Sequence, residues 1–211
     1  MHNNQHGLFI TLEGIDGSGK STQARRLSEH LTARGLSTHL TREPGGSPGA
    51  EDIRRLLVEG DPGRWSPETE ILLFMAARRD HLERVITPMR NAGTWVISDR
   101  FADSTRVYQG AARAELRGFV DRLHELVIAT EPDLTLVIDM DPEVALARGL
   151  ARQSGEDRFE EFGIAFQHKL REGFLALPEQ FPDRCHLING NQSEDKVAAQ
   201  IAALIDGINN G

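Results

Sequence analysis

Leu8-Phe9-Ile10-Thr11-Leu12-Glu13-Gly14-Ile15-Asp16-Gly17-Ser18-Gly19-Lys20-Ser21-Thr22 is the stretch that decides the fold. Its first five residues form an apolar run with the character of a buried strand. Gly14 to Ser21 then fits G-x-x-x-x-G-K-[ST], and the chain from Ser21 to Arg34 is patterned as a helix. Strand, glycine loop and helix start together make a phosphate cradle. The glycines let backbone N–H groups turn toward an anion, and the helix start adds positive potential. In such a loop Gly14, Ile15, Asp16, Gly17, Ser18, Gly19, Lys20, Ser21 and Thr22 surround the phosphates of ATP or GTP. Lys20 reaches the outer phosphates and the Ser21 hydroxyl holds Mg²⁺.

The whole chain bounds what this cradle serves. Its 211 residues suit a single domain, 1–211, long enough to bury a real core. No apolar stretch approaches a membrane span, and the first six residues carry no signal pattern and read as a short frayed tail. A single cysteine, Cys185, rules out an internal disulfide framework and suits a reducing cytosol, so a cytoplasmic location is expected. Cys185 lies in an apolar run, where inert packing is its expected role. A net charge of -8 argues against a surface that coats nucleic acid, and neither nucleic acid nor membrane is expected as a partner. Nucleotide anions must then be met by local charge. Apart from Lys20, Lys169 and Lys196 that charge is arginine, which forks onto phosphate.

Strand-like runs at 8–12, 37–41, 94–98, 134–138 and 185–188 alternate with helical patterns at 19–34, 49–59, 67–91, 104–130, 142–152, 158–176 and 194–208. This predicts an α/β fold of the P-loop NTPase type. About five parallel strands carry helices on both faces, with a small mobile lid near 149–158. Ligands in such sheets bind at the carboxyl ends of the strands, which here carry Glu13, Arg42-Glu43, Asp99-Arg100 and Asp139. Ser66 before Pro67 and Asp141 before Pro142 read as helix caps, and Pro88 should kink or end its helix near Thr87.

Five groups of residues carry chemistry. Two prolines and three glycines constrain Thr41-Arg42-Glu43-Pro44-Gly45-Gly46-Ser47-Pro48-Gly49, either to hold Arg42 in place or merely to connect strand to helix. In Ser98-Asp99-Arg100-Phe101, Asp99 stands where such proteins place a carboxylate that helps hold Mg²⁺, and Arg100 beside it asks for an anion; a salt bridge between strand ends is the alternative. Phe74 and Arg78 lie one helical turn apart and suit stacking on a base and reading its edge, although a Phe among Ile71-Leu72-Leu73 is usually core and an Arg usually solvated. Tyr108 is the only tyrosine, and Gln109 offers a donor and an acceptor to a base edge. Arg148 and Arg152 share a helix face before the polar segment 153–157 and Arg158, which suits a lid closing on an anion or an exposed charged helix end.

Taken in order, these pieces resemble the thymidylate kinase family over nearly the whole chain. The matching segments are Phe9 to Gln23, Arg42-Glu43-Pro44-Gly45-Gly46, Phe74 to Arg78, Asp99-Arg100-Phe101 with Asp103-Ser104, Tyr108-Gln109-Gly110, and Asp157-Arg158-Phe159-Glu160. The resemblance implies transfer of the γ-phosphoryl group of ATP to dTMP. It implies that Phe74 stacks on thymine, that Arg78 and Gln109 read its polar edge, and that Arg42 and Arg100 hold the acceptor phosphate. It places Ser104 in the dTMP pocket, Asp16 on the sugar 3′-hydroxyl, and Tyr108 against the position of a 2′-hydroxyl. By the same resemblance Asp99 would support Mg²⁺, Arg148 would stack near adenine, and 189–191 would lie close to the same base. It also implies that Lys20, Asp99, Arg100, Arg152 and Arg158 form the catalytic set, and that the chain is a homodimer. Some family members carry a catalytic arginine where this chain has Gly17, so it resembles the bacterial type whose lid supplies that charge. Arg106 departs from the family pattern and is read as pointing to the acceptor phosphate or to solvent. Another nucleoside monophosphate kinase, or a partner-binding ATPase switch, is the alternative.

Overall fold

A computed structural model describes residues 6–61, 63–112, 114–152 and 163–209. Strands β1 (Phe9–Glu13), β2 (Thr38–Arg42), β3 (Trp95–Asp99), β4 (Leu134–Asp139) and β5 (Cys185–Asn189) form one parallel sheet in the order β2-β3-β1-β4-β5. The connecting helices are α1 (Lys20–Ala33), α2 (Pro48–Val58), α3 (Pro67–His81), α4 (Thr87–Asn91), α5 (Ala102–Ala112), α6 (Arg117–Leu123), α7 (Pro142–Arg152), α8 (Ile164–Leu175), α9 (Leu177–Gln180) and α10 (Glu194–Asn209). The expected five-stranded α/β architecture is the one observed. No helix among the described residues is long and apolar enough to cross a membrane.

The central strand explains the layering. Every residue of β1 is buried, because helices cover both faces. Ile10 and Leu12 face α1 and α10, where they pack with Leu27, Leu31, Ile201 and Ile205. Phe9 faces the other way, into Ile71, Ile86, Phe101 and Val120. Burial of each such side chain contributes about 1.5–3 kcal/mol, so the strand that delivers the glycine loop is firmly held. A third cluster, with Ile15, Val107, Tyr108, Val137, Leu170 and Phe174, packs α5 and α8 beside that loop. There the Cβ of any residue at 173 would lie 2.8 Å from Val107, so only glycine lets these helices approach this closely.

Two helices differ from the sequence reading. Of the two outcomes expected at Pro88, a kink or an end near Thr87, the pattern at 67–91 does not end there but is interrupted just before it. It widens into a π-helical turn, Leu82–Ile86, in which the Thr87 N–H reaches the Leu82 carbonyl, and continues as α4. Pro88 has no N–H to give, and a wider turn relieves the carbonyl it would otherwise crowd. The pattern at 104–130 is broken into α5, α6 and a second π turn, His124–Ile128, closed by Ala129 at φ 49. The break lets Leu116 and Val120 turn into the cluster around Phe9 and Phe101. Both predicted caps form. Thr69 N–H donates to Ser66 Oγ at 3.2 Å, and Glu143 N–H to Asp141 Oδ1 at 3.0 Å.

Candidate active site

The glycine loop leaves β1 at the point where the strand order reverses. Gly14, Gly17 and Gly19 hold φ values of 141, 81 and 95, in the region glycine tolerates. At Gly17 the requirement is also spatial: a Cβ would lie 2.0 Å from the Ala145 carbonyl oxygen on α7. Lys20 opens α1 and donates to the Ile15 carbonyl at 2.8 Å, so its ammonium is folded back over the loop. Burial and the Arg100 charge push its pKa down to about 8. The first turn of α1 carries no acidic residue, and the Ser18 hydroxyl is buried with no hydrogen-bond partner among the described residues. Together with the backbone N–H groups at the helix start, these features suit an anion.

Across the loop, Ser21 Oγ donates to Asp99 Oδ2. A hydroxyl and a carboxylate at the edge of a phosphate cradle are hard oxygen donors, the set Mg²⁺ prefers. Among the described residues no group of three or more metal-binding side chains is present.

Arg100 sits at φ 73, an uncommon conformation for a residue with a side chain. Two hydrogen bonds hold it there: its N–H donates to the Leu12 carbonyl at 3.0 Å, and Ser98 Oγ donates to its carbonyl at 2.8 Å. The guanidinium is thereby turned toward the glycine loop. Nη1 donates to Ser104 Oγ at 2.9 Å and Nη2 to the Tyr108 hydroxyl at 3.1 Å, while Nη2 also forms an ion pair with Asp16. The Tyr108 hydroxyl donates to Asp16 Oδ2 at 2.7 Å. Burial would raise the Asp16 pKa, but the charges of Arg100 and Lys20 outweigh it and hold the carboxyl at about 2. Burial likewise opposes the charge on Arg100, yet Asp16 keeps the guanidinium well above its usual range.

Glu13, assigned no role from sequence, completes this corner. It is fully buried and accepts Phe101 N–H at 2.8 Å and Ser104 Oγ–H at 2.5 Å. Burial, then the nearby Asp103 charge, push its pKa up to about 7. Its carboxyl group ties the end of β1 to the start of α5.

The proposed base end lies between α3 and α5. Phe74 on α3 is half-buried. Arg78 is not solvated but 2% exposed. Nε donates to Glu43 Oε2 at 2.7 Å, and Nη2 donates at 3.0 Å to both the Phe101 carbonyl and Thr105 Oγ1. Gln109 is buried and donates to Glu70 at 3.4 Å. Arg42 is the exposed member, with Glu51 beside it at 3.4 Å. The loop after it is braced by Gly46 N–H on Glu51 and by Arg54 on the Pro44 carbonyl.

Other residues fall elsewhere. Arg106 does not point to solvent. It is 4% exposed and paired with the buried Asp103 one turn back on α5 and with the more exposed Asp121 and Glu131, which close over it. Asp139 is held by Arg171 at 2.6 and 2.9 Å. Cys185 is buried and its thiol pushed up to about 12, mainly by burial, as befits packing. Arg148 is exposed on α7 and donates to the Met140 sulfur at 3.5 Å. Asn191 Oδ1 accepts the Asp141 N–H at 2.9 Å. Arg152 ends α7, and Arg158 with most of the expected lid lies outside the described residues.

Known proteins resemble this chain over nearly its whole length. Residues 12–201 match the family model described as thymidylate kinase. The chain is 70% identical over 199 residues to a thymidylate kinase of Dinoroseobacter shibae, covering 94% of this chain and 96% of that one. It is 51% identical over 200 residues to a thymidylate kinase of Caulobacter vibrioides, with 94% and 96% covered. The crystal structure of thymidylate kinase from Ehrlichia chaffeensis superposes with a TM-score of 0.75 at 33% identity, covering 95% of this chain and 99% of that one.

Proposed function

The chain belongs to the thymidylate kinase family and transfers the γ-phosphoryl group of ATP to dTMP, giving dTDP and ADP; from that premise we propose the following division of labour among its residues. The observation that carries it is the convergence of Arg100, Asp16 and Tyr108 at the mouth of the glycine loop. Gly14 to Thr22 hold the triphosphate of ATP, with Lys20 on its outer phosphates and Arg148 against adenine. Arg42 and Arg100 hold the acceptor phosphate, Asp16 the 3′-hydroxyl, and Ser104 lines the same pocket. Phe74 stacks on thymine while Arg78 and Gln109 face its polar edge. Tyr108 occupies the space a 2′-hydroxyl would need.

The acceptor is already a phosphate with a second pKa of ~6, so no strong general base is called for. What the reaction needs is two anions brought into line and positive charge at the transferring group. Arg100 and Lys20 serve that from the core, and Arg152 and Arg158 from the lid. Ser21 and Asp99 would hold Mg²⁺, which when bound with ATP neutralises charge on its phosphates. We place the enzyme in the cytosol as a homodimer. Leu72 on α3 and Leu126 and Val127 on the second π turn form an exposed apolar surface that suits a second copy of this chain.

The test is ADP release from Mg-ATP with dTMP, dUMP, dCMP, dGMP, AMP, UMP, thymidine or water as acceptor. Turnover with dTMP above all others, and weaker with dUMP, is expected. Preference for another monophosphate would discard the roles given to Phe74, Arg78 and Gln109. ADP release regardless of acceptor would discard the acceptor site altogether.

A further inference from the structure

We propose that His81 is a positioning residue that sets both Arg42 and Arg78 for the acceptor nucleotide. The inference rests on the acceptor roles given to those two arginines above. His81 follows Arg78 by three residues on α3, so both lie on one face of the helix. It is completely buried. Nδ1 lies 3.0 Å from Glu43 Oε1 and Nε2 lies 2.8 Å from Thr41 Oγ1. The other oxygen of the same carboxylate, Glu43 Oε2, accepts Nε of Arg78 at 2.7 Å. One imidazole therefore reaches Arg78 through a single intervening carboxylate.

It also reaches Arg42 from both sides. Thr41 and Glu43 flank Arg42, and Glu43 N–H still donates to the Asp99 carbonyl at 3.0 Å, so the backbone remains extended through this point. Alternate side chains of an extended chain point to opposite faces. With residues 41 and 43 both turned in to His81, Arg42 is turned out, and its side chain is 56% exposed. Gly46 locks the arrangement. At φ 88, a Cβ there would lie 2.3 Å from Nε2 of His81 and 2.5 Å from Thr41 Oγ1, so the glycine turn closes directly on the ring.

One tautomer satisfies both contacts: Nδ1–H donates to the Glu43 carboxylate, and Nε2 accepts the Thr41 hydroxyl. Asn puts a donor where Nδ1 stands and Gln puts an acceptor oxygen nearer Nε2, so the two substitutions separate the arms.

The test compares His81→Asn, His81→Gln and Thr41→Val in the full chain, with Arg42→Ala and Arg78→Ala as references. Steady-state constants for dTMP and ATP are read alongside thermal unfolding. His81→Gln is expected to raise the KM for dTMP about tenfold, lower kcat at saturating dTMP by no more than about threefold, and leave the KM for ATP unchanged. His81→Asn, which keeps the Glu43 arm, should return the dTMP KM to within about threefold of the parent. Thr41→Val removes only the far hydroxyl and should raise that KM by about threefold, which keeps the test open if His81→Gln does not fold. A parent-like dTMP KM in His81→Gln and Thr41→Val, while Arg42→Ala and Arg78→Ala raise it, would overturn the role of His81 alone. So would dTMP and ATP constants worsening in step with stability. Unchanged dTMP KM in the two arginine variants would instead remove the acceptor-site placement, and this proposal with it.

Discussion

Tyr108 gives its hydroxyl hydrogen to Asp16 at 2.7 Å and thereby joins the acceptor helix to the glycine loop across 92 positions of sequence. The same hydroxyl accepts Arg100 at 3.1 Å, and the ring stands edge-on to Phe174 at 6.2 Å. Ring and hydroxyl should separate in function. Tyr108→Phe loses a hydrogen bond to a charged group and should raise the dTMP KM about tenfold while still refusing ribonucleotides. Tyr108→Ala should admit them. Turnover of UMP and dTMP by the two variants checks this, and a Phe variant that accepts UMP as readily as the Ala variant would contradict it.

Gly17 leaves no room for a catalytic arginine in the loop. Any side chain there meets the Ala145 carbonyl and a φ of 81 besides, the latter alone costing about 1–2 kcal/mol. Gly17→Ala should lower the melting temperature and reduce kcat by about tenfold or more. Gly17→Arg should not rescue a lid variant. Full activity in Gly17→Ala would mean that α7 moves away easily.

Lys20 sets an alkaline limit. Its pKa of about 8, against an ordinary 10.5, means that the free enzyme loses this charge as pH rises through 8. The kcat/KM for ATP should fall above that point. Bound triphosphate favours the ammonium, so the corresponding fall in kcat should lie at higher pH. The stability effect has the opposite sign. Between about 8 and 10.5 the unfolded chain holds a proton the folded chain has lost, so this one group favours folding more as pH rises. Activity and unfolding measured across pH 7 to 10 would test both signs, and a kcat/KM flat through pH 9 would refute the first.

The lid arginines should act on the transferring group and not on binding. An arginine in that role is worth ~10³-fold or more in other phosphoryl transfers. Arg152→Ala or Arg158→Ala should therefore reduce kcat strongly with little change in dTMP affinity. Full activity in both would remove the lid from the mechanism.

How much of this was legible beforehand depended on distance along the chain. Each apolar run gives its strand, but a reading that stops at the first charge ends four of them one residue early. Glu13, Arg42, Asp99 and Asp139 are all paired into the sheet. The glycine loop and the Arg-Glu-Pro-Gly-Gly segment are local, and so are readable. Glu43 and His81 are not: one is a carboxylate inside a known motif, the other a lone histidine, and only folding brings them to 3.0 Å across 38 positions. Arg106 misleads for the same reason, since nothing near it in sequence reveals that Glu131 will close over it.

The shared level at which the strands end carries a consequence for how such a chain can change over time. Arg42 lies beside Asp99, Leu12 beside Asp99, and Asp139 beside Asn189, so the chemical groups form one row set by register. A residue gained or lost within a strand would slide its part of the row by about 3.3 Å and invert its faces. The turns at the other pole, such as that at Ala92 and Gly93, bear no such constraint. Drift in length belongs to that pole, while the pole that meets nucleotide is free to vary in composition only.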